Sequence, residues 1–279
     1  MARRVAVTGA AGQLGRELVR AFADAGDEVL ALARPDFDIT DASHLARMAA
    51  WRPEVVVNAA AWTDVDACAR DPDRAMLING TAAGAVARTA AEIDALAVQV
   101  STNEVFDGTR RRAYAEDDPP IPINPYAVAK LAGERLTAAA GGRYIVVRTA
   151  WVFGPDSGFP TRIRAAADRM LGEGRPLRVV ADEWGNPTPA GWLADTIVEL
   201  VRLEARGPLT GIVHAAGQPP ATRLGWARLA LAGHDAEIEP IGLSEYRRDS
   251  LVPQRAVLDT GRIERLGLAP ADWRAATSP

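Results

Sequence analysis

Tyr126 and Lys130 stand four residues apart in the run Asn124-Pro125-Tyr126-Ala127-Val128-Ala129-Lys130. On a helix, four residues rise ~6 Å and bring both side chains to one face. A phenol with an ordinary pKa of ~10 is poorly poised for proton transfer at neutral pH. An ammonium within ~4–6 Å lowers such a pKa by ~1–3, which would make the pair a proton donor and its stabilising cation. Tyrosine and lysine also fall at this spacing on ordinary helices with no chemistry attached. Pro125, suited to a first helical position, and an upstream apolar run ending Ser101-Thr102 favour the chemical reading.

A second constellation lies near the N-terminus, where Val5-Ala6-Val7 runs into Thr8-Gly9-Ala10-Ala11-Gly12-Gln13-Leu14-Gly15. Glycines after a strand let the backbone approach a pyrophosphate, and the following helix N-terminus offers free N–H groups and a positive dipole end. The alternative is a plain strand–helix turn. NAD-binding units usually carry a carboxylate ~20 residues further on for the adenosine ribose. Here the next strand runs out as Leu32-Ala33-Arg34, with an arginine suited to a 2′-phosphate. NADP(H) is therefore favoured over NAD(H). The competing possibility leaves Arg34 in solvent and gives the ribose to Asp36 or Asp38.

The elements needed to position these residues follow from the hydrophobic pattern. Val5–Val7, Glu28–Ala33, Glu54–Asn58, Ala97–Ser101 and Arg143–Thr149 read as strands. Leu14–Ala25, Ser43–Trp51, Arg74–Asp94 and Tyr126–Ala140 between them read as helices. This alternation predicts an α/β fold with a doubly wound, Rossmann-type parallel sheet, its apolar strands covered by helices on both faces. After Trp151 the pattern is less regular, with helices over Pro160–Leu171, Gly191–Leu203 and Leu224–Ala232 and strands over Leu177–Val180 and Ile212–Ala216. We expect a dinucleotide-binding half over residues 1–150 and a smaller, mainly substrate-binding part over 151–279. Segments near 191–216 are placed to rejoin the main sheet.

With 279 residues, 48% hydrophobic and 24% charged, the chain can bury an ordinary globular core. Its net charge of −4 argues against binding a nucleic-acid backbone. The lone Cys68 excludes an internal disulfide and a cysteine-built zinc site. His44, His214 and His234 show no metal-ligand spacing, and no metal is expected. No stretch reaches membrane-spanning length and the N-terminal apolar run is too short for a signal peptide, so a soluble cytoplasmic protein is expected.

The glycine turn with Tyr126 and Lys130 resembles the extended short-chain dehydrogenases. More narrowly, the chain is similar to the dTDP-4-dehydrorhamnose reductases. That likeness rests on Asp38-Ile39-Thr40-Asp41, Val57–Thr63, Ser101–Gly108, Arg148–Gly154 and Asp182–Thr188, with a weaker match from Val257 to Trp273. The resemblance implies an NADPH-dependent reduction at C4 of a dTDP-linked 4-keto-6-deoxyhexose by a monomer or homodimer. Thr102 would bond the substrate oxygen, Tyr126 would protonate it, and Lys130 would hold the nicotinamide ribose and lower the Tyr126 pKa. Gly9, Gly12, Gln13, Leu14, Gly15 and Arg34 would take the phosphates. Asp38 and Ile39 would meet the adenine, Ala59, Ala60 and Ala61 would line the groove, and Trp151 would flank the sugar.

Two departures stand out. The family commonly reads Ser-Thr-Asp-Tyr-Val-Phe-Asp-Gly where this chain has Glu104 in place of the tyrosine, and Glu183 replaces a usual glutamine. Glu104 either turns to an arginine such as Arg110 or Arg148, or accepts a hydrogen bond from a sugar hydroxyl. Arg110–Arg112, Arg247, Arg248 and Arg255 are the candidates for gripping a substrate diphosphate. Two rival functions remain: an epimerase or dehydratase recycling a tightly held NAD, and a non-catalytic NADP-binding regulatory subunit.

Overall fold

Strand β1 (Arg4–Thr8) serves two cores at once. Val5 and Val7 face one side of the sheet and Ala6 the other, because successive side chains of a strand alternate. The same alternation recurs in β3 (Val55–Asn58), with Val55 and Val57 opposite Val56. The computed structural model describes residues 2–207 and 209–277; Met1 and Ser278–Pro279, at the outer ends of the two expected halves, lie outside the described residues, as does Pro208.

Six parallel strands form the central sheet, in the order β6-β5-β4-β3-β1-β2. The others are β2 (Glu28–Leu32), β4 (Leu96–Thr102), β5 (Tyr144–Thr149) and β6 (Gly211–His214). Helices α1 (Gln13–Asp24) and α6 (Ala190–Glu204) cover one face, through Leu18, Phe22, Leu193 and Ile197. Helices α2 (Ala42–Ala50) and α3 (Ala83–Glu92) cover the other, through Leu45, Met48, Val86 and Ala90. The doubly wound α/β expectation is met. The winding of the strands reverses between β1 and β3, and ligands of such sheets bind beyond the strand ends at that switch point.

Helix α4 (Pro125–Ala138) starts with Asn124 as its cap, whose Oδ1 accepts from the Ala127 N–H at 2.8 Å, and Pro125 at a position where no N–H is needed. Tyr126, Lys130 and Glu134 follow at four-residue steps, and all three are buried. Glu134 ties the helix to the sheet. Its carboxylate accepts from Arg148 Nε and Nη2 of β5 at 2.9 and 2.7 Å and from Ser101 Oγ of β4 at 2.5 Å. Ser101 and Arg148 are register partners on neighbouring strands.

The continuous helix expected over Arg74–Asp94 is broken into three pieces. A short α turn, Pro72–Ala75, leads into a π-helix over Met76–Ala82 and then into α3. Close packing on α4 explains the widened turn. A Cβ on Gly133 would come within 2.4 Å of the Asn79 carbonyl, so the two backbones nearly touch. The π-turn also directs the buried Asn79 side chain to Trp62, whose N–H and carbonyl it bonds at 2.8 and 2.9 Å. That bond fixes the loop after β3.

Beyond β5 the chain builds α5 (Phe159–Gly172), α6, β6 and α7 (Arg223–Ala230). Strands Leu177–Val180 and Ile238–Ile241 pair in parallel; the second was not expected, since Glu239-Pro240 interrupts its apolar run. Phe153, Trp226 and Trp273 form a local aromatic core.

Removing one member of a buried ion pair strands the other charge, so Arg148→Met should cost ~3–5 kcal/mol of unfolding free energy. Glu134→Leu combined with Arg148→Met should recover most of it, as read by urea denaturation.

Candidate active site

Two cavities lie along the carboxyl ends of β1, β3, β4 and β5, and they share Gly12, Ala59 and Ala61 in their walls. One, of about 380 Å³, is lined at its far end by Arg34, Asp38, Ile39 and Arg74. The other, of about 440 Å³, reaches Thr102, Glu104, Tyr126, Lys130 and Trp151. Together they make one groove running over the glycine turn.

The turn is shaped for close approach. Gly9 has φ +70° and a Cβ there would lie 2.6 Å from the Ala60 nitrogen, while a Cβ on Gly15 would lie 2.1 Å from the Gly9 carbonyl. Only glycine fits both positions. Ala59, Ala60, Ala61, Gly12, Gln13, Leu14 and Gly15 all line the groove. Gln13 Nε2 and Thr149 Oγ1 are buried in its wall without a hydrogen-bond partner among the described residues. Buried polar atoms seldom go unpaired, so a narrow backbone cradle with two orphaned polar atoms fits an extended polar ligand such as a dinucleotide.

At the far end, Arg34 is exposed and lines the cavity, whereas Asp36 does not. Asp38 lines it too, but its Oδ1 is engaged by Thr40, accepting from the amide at 2.9 Å and the hydroxyl at 2.8 Å. These bonds hold the Asp38 carboxyl below its usual range. Arg74, which no motif signalled, stacks over the Trp62 ring at 4.6 Å in the same wall.

Thr102, Tyr126 and Lys130 meet at the other end. Lys130 Nζ donates to the Val100 carbonyl at 2.6 Å, and burial pulls its pKa from 10.5 down to about 8. Burial and the Glu104 carboxylate push the Tyr126 phenol up; a hydrogen bond with Thr102 acts against them. The expected lowering of Tyr126 by Lys130 is absent. The ammonium is directed to a backbone carbonyl, and Thr102 is the group that favours the phenolate.

Glu104 opens into this cavity, and neither Arg110 nor Arg148 is its partner. Asn124 Nδ2 donates to Glu104 Oε2 at 2.8 Å, linking it to the cap of α4. Desolvation raises its pKa; the Asn124 bond and the charges of Arg248 and Arg223 oppose that rise, and Glu183 adds to it. No hydrogen bond among the described residues reaches Oε1, which leaves an acceptor in the cavity wall. Trp151 stands at the rim, half-buried.

Most of the arginines expected to grip a diphosphate are engaged elsewhere. Arg110 and Arg112 bond Asp118, Arg248 bonds Asp66 at 3.1 Å, and Arg255 donates to the Arg111 carbonyl at 2.9 Å. Arg162, on α5, instead lines the cavity. Its position was invisible in the sequence because α5 reaches the site only through the fold of the second half.

The family model described as RmlD substrate binding domain matches residues 3–278. A dTDP-4-dehydrorhamnose reductase of Mycolicibacterium smegmatis is 38% identical, over 99% of this chain and 84% of that protein. One from Burkholderia thailandensis is 36% identical, over 98% of this chain and 96% of its own length. The crystal structure of dTDP-4-dehydrorhamnose reductase from Bacillus anthracis, in complex with NADP, superposes with a TM-score of 0.89 at 27% identity, covering 99% of this chain and 98% of that one. Matched along nearly its whole length by that model and by these relatives, the chain belongs to the dTDP-4-dehydrorhamnose reductase family.

Proposed function

We propose that this chain reduces the C4 keto group of a dTDP-linked 4-keto-6-deoxyhexose with NADPH, converting dTDP-4-dehydrorhamnose to dTDP-rhamnose. The observation that carries the reading is the groove itself, which joins the glycine turn to Thr102, Tyr126 and Lys130 without a break. Residues 1–150 hold the dinucleotide and residues 151–279 mainly cover the sugar nucleotide. We place the enzyme in the cytoplasm, as a monomer or homodimer; no described helix is long and apolar enough to cross a membrane.

NADPH, when bound in the groove, would supply a hydride for C4. Tyr126 passes its phenolic proton to the carbonyl oxygen, so the C=O becomes CH–OH and the phenolate keeps the electron pair of the broken O–H bond. Thr102 holds that oxygen in line and then stabilises the phenolate through its hydroxyl. Lys130, held by the Val100 carbonyl, would hold the nicotinamide ribose. The hydrophobic surroundings that raise the Tyr126 pKa keep it protonated before reaction, which suits a proton donor. Glu104 offers Oε1 to a sugar hydroxyl, and Trp151 lies against the sugar ring. Gly9, Gly12, Gln13, Leu14 and Gly15 would receive the NADPH pyrophosphate. Arg34 would meet the 2′-phosphate and Asp38 and Ile39 the adenine, while Ala59, Ala60 and Ala61 wall the groove between.

NADPH oxidation against a panel of dTDP- and UDP-linked 4-keto sugars tests the activity, with turnover expected for the dTDP-linked 4-keto-6-deoxy sugars. Silence across the panel would end the reductase reading. A tightly bound NAD that co-purifies would favour the epimerase or dehydratase instead.

In that assay Tyr126→Phe should lower kcat by ~10²–10⁴-fold, the usual worth of a general acid, while NADPH affinity stays near wild type. The Lys130 charge is present below its pKa of about 8 and lost above it. A kcat that depends on that charge should therefore be level in neutral solution and fall as pH rises through about 8, as a pH–rate profile would record. Arg34→Ala should weaken NADPH binding by ~1.5–3 kcal/mol, the worth of a charge-assisted hydrogen bond, and leave NADH binding unchanged, as measured by titration calorimetry.

A further inference from the structure

The rim of the sugar-end cavity holds a stack assembled from separate segments of the second half. Trp151 sits at φ +46°, a left-handed conformation strained for a bulky side chain, so the surroundings must hold it there. Its ring lies parallel to that of Trp226, 5.8 Å between centroids and 4° between planes. The Arg223 guanidinium lies over the Trp151 ring with Cζ 3.7 Å from its centroid. Gly185 leaves room for the ring; a Cβ there would come within 2.5 Å of it.

Arg223 is itself anchored. Its Nε and Nη2 donate to Glu183 Oε1 at 3.2 and 3.1 Å, and its backbone N–H donates to the Glu183 carbonyl at 3.1 Å. Glu183 is 8% exposed, and Arg223 is the partner that its buried carboxylate finds. The ladder between Trp184–Gly185 and Ala221–Thr222 keeps the two residues in register. A glutamine at position 183 could accept from the guanidinium but could not neutralise it. The glutamate that departs from the family pattern pairs with Arg223.

We infer that Glu183 and Arg223 are positioning residues for the sugar nucleotide: the ion pair fixes the guanidinium over Trp151, and the guanidinium fixes the ring in the wall of the sugar-end cavity. The inference rests on the reductase reading above for the identity of the ligand. A planar cation on an aromatic face restrains the ring by direct contact. Without it, the strained Trp151 backbone loses one of the contacts that hold it, and the ring is no longer fixed in the cavity wall. The cofactor end of the groove does not share this stack, so NADPH binding is insulated from it.

The test uses Glu183→Gln combined with Arg223→Leu, which removes both charges and leaves no buried carboxylate stranded, beside Arg223→Lys, which keeps the charge and loses the planar stack. The double variant should raise KM for the dTDP-linked 4-keto sugar about tenfold, with kcat and NADPH affinity little changed. Amide hydrogen exchange over residues 150–153 should become faster in the cofactor-free protein. Arg223→Lys should fall with the double variant. An unchanged KM and unchanged exchange in the folded double variant would overturn the inference, as would wild-type behaviour of Arg223→Lys. Loss of NADPH binding together with a lowered Tm would mark general damage to the fold and would also count against it. If the wild-type enzyme reduces none of the sugars, the reductase reading fails by itself, and the exchange measurement still decides whether the pair holds Trp151.

Discussion

The buried contact of Glu134 with Arg148 and Ser101 carries more of this structure than its size suggests. It lies where β4, β5 and α4 meet, and it sets how far α4 stands along the sheet and how it is rotated. Once Glu134 is pinned, the helical repeat places Lys130 one turn back and Tyr126 two turns back, facing the carboxyl end of β4. Thr102 lies one residue past Ser101 on that strand. Thr102, Tyr126 and Lys130 are therefore located by one ion pair and two regular repeats, the helix and the strand.

Burial then tunes the chemistry. The same apolar surroundings that lower Lys130 raise Tyr126, because each neutral form is favoured away from water. Desolvation thus moves the two pKa values toward each other's opposite side, and the Thr102 bond restrains the phenol. Glu104 adds a carboxyl beside Tyr126 that is held by the cap of α4. An acidic group so near Tyr126 couples the charge in this cavity to the phenol.

The second half of the chain contributes Trp151 and Arg162 to the groove wall. Its aromatic cluster, Phe153, Trp226 and Trp273, supports Trp151 at the rim. Its β6 completes the main sheet against β5, with Ile212 opposite Val146 and Val213 opposite Val147. Sheet and rim are consequently joined by backbone pairing, so the cover over the groove stays in register with the strand ends beneath.

Local geometry determined what the residues alone could disclose. The glycine turn, the strand–helix alternation and the Tyr126–Lys130 spacing depend on neighbours a few residues away, and each was legible as a pattern. The carriers of the groove from Gly9 to Ala61, and its far wall at Thr102 and Trp151, could be named from motifs of the same kind. The π-turn at Met76–Ala82 could not, because it answers to the close approach of Gly133 from another helix. Nor could the partners of the charges. Arg148 meets Glu134, Arg223 meets Glu183 and Arg248 meets Asp66 across separations of 14, 40 and 182 residues, and the sequence holds 32 basic and 36 acidic side chains from which to choose. Complementary charges attract without regard to spacing along the chain, so only the packed tertiary structure decided which of them meet, and with them which way Glu104 and Trp151 face.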